Sequence, residues 1–128
     1  MMQQKHQYED AIVRVVPAVE REEFVNAGVI LFCKKEKFIR MKYHLSPDKI
    51  LIMKPDAEIE EIRKNLEAFR IIAAGEKEGG PIASMDPAER FRWLSAVRSA
   101  SIQTSMPHTG LSNDLEKTFN TLFDEMVG

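Results

Sequence analysis

The chain has one cysteine, Cys33, and one tryptophan, Trp93, in 128 residues. A lone thiol excludes an internal disulfide and any cysteine-rich metal site, and its place at the end of the apolar run from Val29 reads as a buried, inert group. The three histidines, His6, His44 and His108, fall on unrelated segments without the spacing of paired ligands, so no metal is expected. Gly75, Gly79 and Gly80 follow a helical pattern instead of joining a strand to a helix, which leaves no phosphate-cradling glycine loop and no cofactor signature. No apolar run approaches the ~20 residues that cross a bilayer, and the opening Met-Met-Gln-Gln-Lys-His-Gln lacks the apolar centre of a signal peptide. A cytoplasmic protein with no membrane attachment is the expectation. Charge of one sign is also missing: 18 basic and 20 acidic residues are interspersed, so no global field would hold nucleic acid by its phosphates.

What is present is an ordinary globular balance, 44% hydrophobic and 30% charged, enough at this length for one core. One domain over residues 1–128 is expected, with residues 1–7 as a disordered N-terminal tail. From Tyr8 to Pro17 the β-branched run is apolar on both faces except at Arg14, an interior strand stopped by Pro17. Val25 to Cys33 reads as a second such strand, paired antiparallel to the first. After the charged turn Lys34–Lys37, strict alternation of Ile39, Met41, Tyr43 and Leu45 with Arg40, Lys42 and His44 predicts a strand with one wet face, towards an edge. Lys49 to Met53 fits a short strand or an extended approach.

Ile59, Ile62, Leu66, Phe69 and Ala73 recur at helical spacing behind a cluster of glutamates, which predicts a helix ended by Gly75, followed by a mobile loop from Glu76 to Ala83. Asp86-Pro-Ala-Glu89 supplies an N-cap, a proline at N1 and a glutamate at N3; Phe91, Leu94 and Val97 form that helix's inner stripe, with Trp93 expected in the core. Ser99 to Met106 reads as a short strand around Ile102 that adds beside the first two. Asn113-Asp-Leu-Glu116 opens a closing helix with its stripe at Leu115, Phe119, Leu122 and Met126. The order of elements predicts an α+β domain, an antiparallel sheet of three to four strands with about three helices packed on it.

Few residues look like chemistry. Asn26 and Gly28 interrupt the second strand at alternate positions, either to leave a depression for a ligand or because a bulge or close approach requires them. Arg14 needs a carboxylate such as Glu22 or Glu23, carbonyls, solvent or a bound anion. The stretch from Arg90 to Gly110 gathers Arg90, Arg92 and Arg98, the hydroxyls of Ser99, Ser101, Thr104 and Ser105, the amide of Gln103, and His108, just before a helix N-terminus. It is the best anion-site candidate, and Arg14, Asn26, Arg98, Gln103, Ser105 and His108 are expected to share one surface. His108 is the residue an enzyme here would use as acid or base.

Arg14-Val-Val-Pro17, Glu23 to Phe32, Arg90-Phe-Arg-Trp-Leu94, Arg98-Ser99, Ile102-Gln103, Ser105 and His108-Thr-Gly-Leu111 together resemble an uncharacterised bacterial family, domain-of-unknown-function family 3037. The resemblance covers nearly the whole chain and is weakest from Asp48 to Ala83. Its pattern has a proline where this chain has Val97, which implies a less rigid junction after the second helix. It brings no activity or catalytic residue; it implies a bacterial cytoplasmic protein and, because such genes often lie beside those of kinase-like proteins, an accessory or regulatory role with a kinase-like partner. Three functions compete on this reading: a module binding a protein partner or a phosphorylated ligand, a small metal-independent hydrolase or nuclease using His108, and a single-strand RNA binder resting on Trp93 and the basic residues.

Overall fold

A computed structural model describes residues 5–18, 23–96 and 101–127. Five strands and five helices follow in the order β1 (His6–Ala18), β2 (Glu23–Cys33), β3 (Phe38–Tyr43), α1 (Pro47–Met53), α2 (Ile59–Ala74), α3 (Gly80–Ala83), α4 (Pro87–Ala96), β4 (Ile102–Thr104), β5 (His108–Ser112) and α5 (Leu115–Met126). The class is α+β, and every strand pairing is antiparallel. β3, β2 and β1 lie in that order, and the free edge of β1 is shared by β4, opposite Val13–Val15, and β5, opposite His6–Asp10.

β1 is central because its alternate residues serve two cores. Ala11, Val13 and Val15 point into the larger one, under α2 and α4, with Ile30, Phe32, Leu66, Phe69, Phe91, Leu94 and Ile102. Ile12 points the other way, into a smaller cluster where Val29, Leu31 and Cys33 meet Leu115, Phe119 and Phe123 of α5. Burial on both faces explains why β1 and β2 read as unbroken apolar runs. β3 has its outer face wet at Arg40 and Lys42, while Met41 is buried, as befits an edge.

Several boundaries depart from the sequence reading. His6 and Gln7, read as part of a tail, are strand residues. β1 also runs through Pro17 to Ala18, because the ladder slips between Val15 and Ala18, and a bulge tolerates a residue with no N–H to give. Residues 47–53 form a helix, opened by Pro47 at its first turn and anchored by buried Ile50. The expected loop from Glu76 holds a 3-10 turn over Lys77–Gly79 and the short α3. Trp93 is exposed on α4, whose apolar stripe holds Phe91 and Leu94, Val97 lying outside the described residues. The cap of α5 is Asp114 and not Asn113: its carboxylate accepts from the N–H of Lys117 at 3.1 Å. Asp86 caps α4 as expected, accepting from Glu89 at 2.9 Å, and Gly75 ends α2 in the left-handed conformation at φ 71°.

Candidate functional sites

On the α5 side of the sheet, register puts Asn26, Arg14 and Gln103 in one row across β2, β1 and β4. The row exists because β2 bulges at Ala27, moving Arg14 opposite Asn26 where Val13 is opposite Gly28. Much of its polarity already serves the fold. The guanidinium of Arg14 stacks on Phe24, 4.3 Å from the ring centroid, and Asn26 Nδ2 donates to the carbonyl of Met126 at the end of α5 (3.1 Å). Arg14 Nε and Asn26 Oδ1 are buried without a hydrogen bond. Glu23 is exposed; Glu22 and Arg98, with Ser99, lie outside the described residues.

Gly28 faces the other way, and no depression opens above it. A Cβ there would stand 2.8 Å from the backbone oxygen of Lys42 and 3.2 Å from the Cβ of Tyr43, so the glycine admits β3 to close approach.

Ser105 sits where β4 gives way to β5 and the pairing with β1 slips by one residue. Its N–H donates to the carbonyl of Ile12 at 2.8 Å, and its Oγ accepts from the N–H of Ile12 at 2.9 Å. The hydroxyl thus stands in for a backbone carbonyl at the slip.

His108 lies on the same face as Arg14 but opposite Asp10, four residues along β1. At ~3.3 Å per residue that is about 13 Å from the row, so the expected surface divides into two places. Asp10 went unremarked in the sequence, although a carboxylate heading an apolar run was its signal. It is 5% exposed; burial pushes its carboxyl up from the ordinary value, and the neighbouring His108 pulls it partly back. Beside it, burial and the charge of Asp10 push the Tyr8 phenol up.

The other arginines of the Arg90–Gly110 stretch go elsewhere. Arg90 Nη1 donates to the carbonyls of Ala73 (2.9 Å) and Ile72 (3.3 Å), closing the end of α2 where its last C=O groups lack helical partners. Arg92 is exposed and lines a groove of about 970 Å³ on the opposite face of the sheet from the Arg14 row. The groove lies between α4 and the ends of β1, β2 and β5. Its apolar lining is Phe32, Ala88, Phe91, Pro107 and Leu111, with Phe32 and Phe91 stacked at 5.2 Å. Its charged lining is Lys5, Lys34, Lys35 and Arg92 against a single carboxylate, Glu9. Continuing the Glu9–Phe32 register outward places Gln7 opposite Lys34, so Lys5 and the two lysines gather at the same end. Ser95 in the α4 wall is committed to its own helix, donating to the carbonyl of Phe91 at 2.9 Å, while Thr104 ties β4 to the end of α4 through the carbonyl of Ser95 (2.8 Å).

Sequence reasoning missed this groove because its cations come from both ends of a hairpin and from a helix; the doublet Lys34–Lys35 at a strand end was the available signal. A smaller cavity of about 280 Å³, near Pro17, is lined by Asp56, Glu58, Glu61 and Lys54. Among the described residues no group of three or more His, Cys, Asp or Glu side chains could hold a metal ion, and no helix is long and apolar enough to cross a membrane.

Compared with known protein families, residues 11–127 match the model described as "Protein of unknown function (DUF3037)". Neither the curated proteins nor the solved structures yield a significant match.

Proposed function

We propose that this chain, which belongs to the DUF3037 family, is a binding module that takes an anionic ligand with an apolar body in the groove beneath α4. The observation that carries the reading is the pairing of four cations and one carboxylate with a floor of two stacked phenylalanines, a proline and a leucine. Concave sites that combine an apolar surface with a few convergent polar groups are where ligands bind. Lysines at one end attract charge, and the aromatic floor receives whatever follows it. The row of Arg14, Asn26 and Gln103 supports a ligand less well, since Phe24 covers the guanidinium and α5 holds the asparagine amide.

The fluorescent probe 8-anilinonaphthalene-1-sulfonate, an anion on an apolar frame, tests the reading. The parent should bind it, and the exposed-residue variants Lys35→Glu and Arg92→Glu should each bind about tenfold more weakly, with binding that weakens as salt is raised. Equal binding by both variants and the parent would overturn it.

A second reading rests on a separate observation, the placing of buried Asp10 opposite His108. A carboxylate beside an imidazole is the arrangement that orients a general base. Under this reading the chain is a small hydrolase or nuclease acting on phosphate esters. A phosphoesterase panel decides it: turnover by the parent that His108→Ala and Asp10→Asn both lose would support this reading, and no turnover would remove it.

A further inference from the structure

We infer that the occupant of the groove is an acidic, extended segment of a partner protein, which adds to the outer edge of β5 as a strand while its alternate side chains enter the groove. This rests on the groove being a binding site and names what fills it. β5 pairs with β1 along one edge, and among the described residues no strand pairs with the other. Its outward N–H and C=O groups are therefore available to another backbone, a resource that a polypeptide uses and a small anion does not. Pro107, lacking an N–H, bounds this edge at its start and also lines the groove.

The side chains agree with a strand laid there. Register places Thr109 and Leu111 on the α4 side of β5, opposite Glu9 and Gln7, and Leu111 lines the groove while 65% exposed. Side chains on the same face of an added strand would extend beyond Leu111 over the groove mouth. An apolar residue at that position meets Leu111 and Pro107. Acidic neighbours two positions away reach Lys5, one strand inside β5, at one end and Arg92 along the wall, while Lys34 and Lys35, two strands inside β5, add attraction at longer range. Several separated cations call for several negative charges, and a segment alternating Asp or Glu with bulky apolar residues supplies both requirements.

The experiment is selection of displayed random twelve-residue peptides on the full chain, followed by synthesis of the winners. Winners should be rich in Asp and Glu interleaved with Leu, Ile, Phe or Trp, and should bind Lys5→Glu and Arg92→Glu chains about tenfold more weakly. N-methylating alternate backbone amides should abolish binding in one register and spare it in the other, the mark of strand pairing that side-chain docking alone would not give. Winners without acidic bias, equal tolerance of methylation in both registers, or no winners at all would overturn the inference. Sulfonate binding that depends on Lys35 and Arg92 alongside such a failure would leave the groove standing and remove the strand; loss of both would remove both.

Discussion

Ser105 and Ile12, 93 positions apart in sequence, exchange two hydrogen bonds, one of them through the Ser105 hydroxyl. The side chain keeps the ladder closed where β4 and β5 are out of register by one residue. Ser105→Ala leaves the part-buried N–H of Ile12 without an acceptor and should destabilise by ~1–2 kcal/mol, read as a lower urea midpoint. Ser105→Thr retains the oxygen and should lie between the two.

Gly28→Val should destabilise by ~1–3 kcal/mol, because the new Cβ meets the backbone of an adjacent strand that cannot rotate away. Chemical denaturation with an unchanged slope checks it. A variant as stable as the parent but unable to bind a groove ligand would place the glycine in function instead.

Asp10 gives a pH-dependent prediction. Its carboxyl is raised in the folded chain by burial, so its contribution to stability is complete below the ordinary carboxylate pKa of 3.8 and is lost as pH rises through the folded value. At neutral pH the unfolded chain ionises this carboxyl freely while burial in the fold disfavours its charged form, a penalty relieved in part by His108. Asp10→Asn should therefore raise the denaturation midpoint at pH 7, and the gain should vanish near pH 3. A midpoint lower than the parent's at pH 7 would instead point to an essential ionised partner for the carboxylate.

A network on β3 and α2 has the opposite sign. Glu67 accepts from the Tyr43 hydroxyl at 2.6 Å and from Arg70 Nε, and Arg70 also donates to Glu76 at 2.8 Å. The Tyr43 hydrogen bond, then Arg70, holds the Glu67 carboxyl below its ordinary 4.5; Arg70 does the same for Glu76. Their contribution is present above about 4.5 and is lost as pH falls through the lowered folded values. Glu67→Gln should flatten the acid limb of a stability profile below that pH; because the Glu67 hydrogen bond and charge, after burial, also raise the Tyr43 phenol above its ordinary 10.0, the alkaline limb should flatten as well.

The sequence disclosed those elements whose identity is local. The apolar runs of β1 and β2, the alternation of β3, the 3.6-residue period of α2 with Gly75 behind it, and the Asp86 cap of α4 each follow from neighbours within a few positions. β5 did not appear because His108-Thr-Gly-Leu111, after a proline and with a glycine inside, has the composition of a turn; it is a strand because β1 supplies its partner. α1 was obscured by having just one buried residue, Ile50, in seven. For the sites, Arg14, Asn26 and Gln103 share a row through strand register and a bulge at Ala27 that no local pattern announces, while His108 stands about 13 Å along β1 from them. The groove was illegible because strand register, and no local pattern, brings Lys5 beside Lys34 and Lys35.

β1 is flanked on one side by β2, which follows it within a few residues, and on the other by β4 and β5 from the last third of the chain. During synthesis at ~5–20 residues per second, the first hairpin leaves the ribosome several seconds before the residues that complete it. For that interval a strand apolar on both faces waits with a free edge, and Ile12 has no Ser105 to receive its N–H. The nascent domain is thus most exposed to mispairing just before its end is made, which makes the arrival of residues 101–112 the step at which a chaperone's hold on this protein can be released.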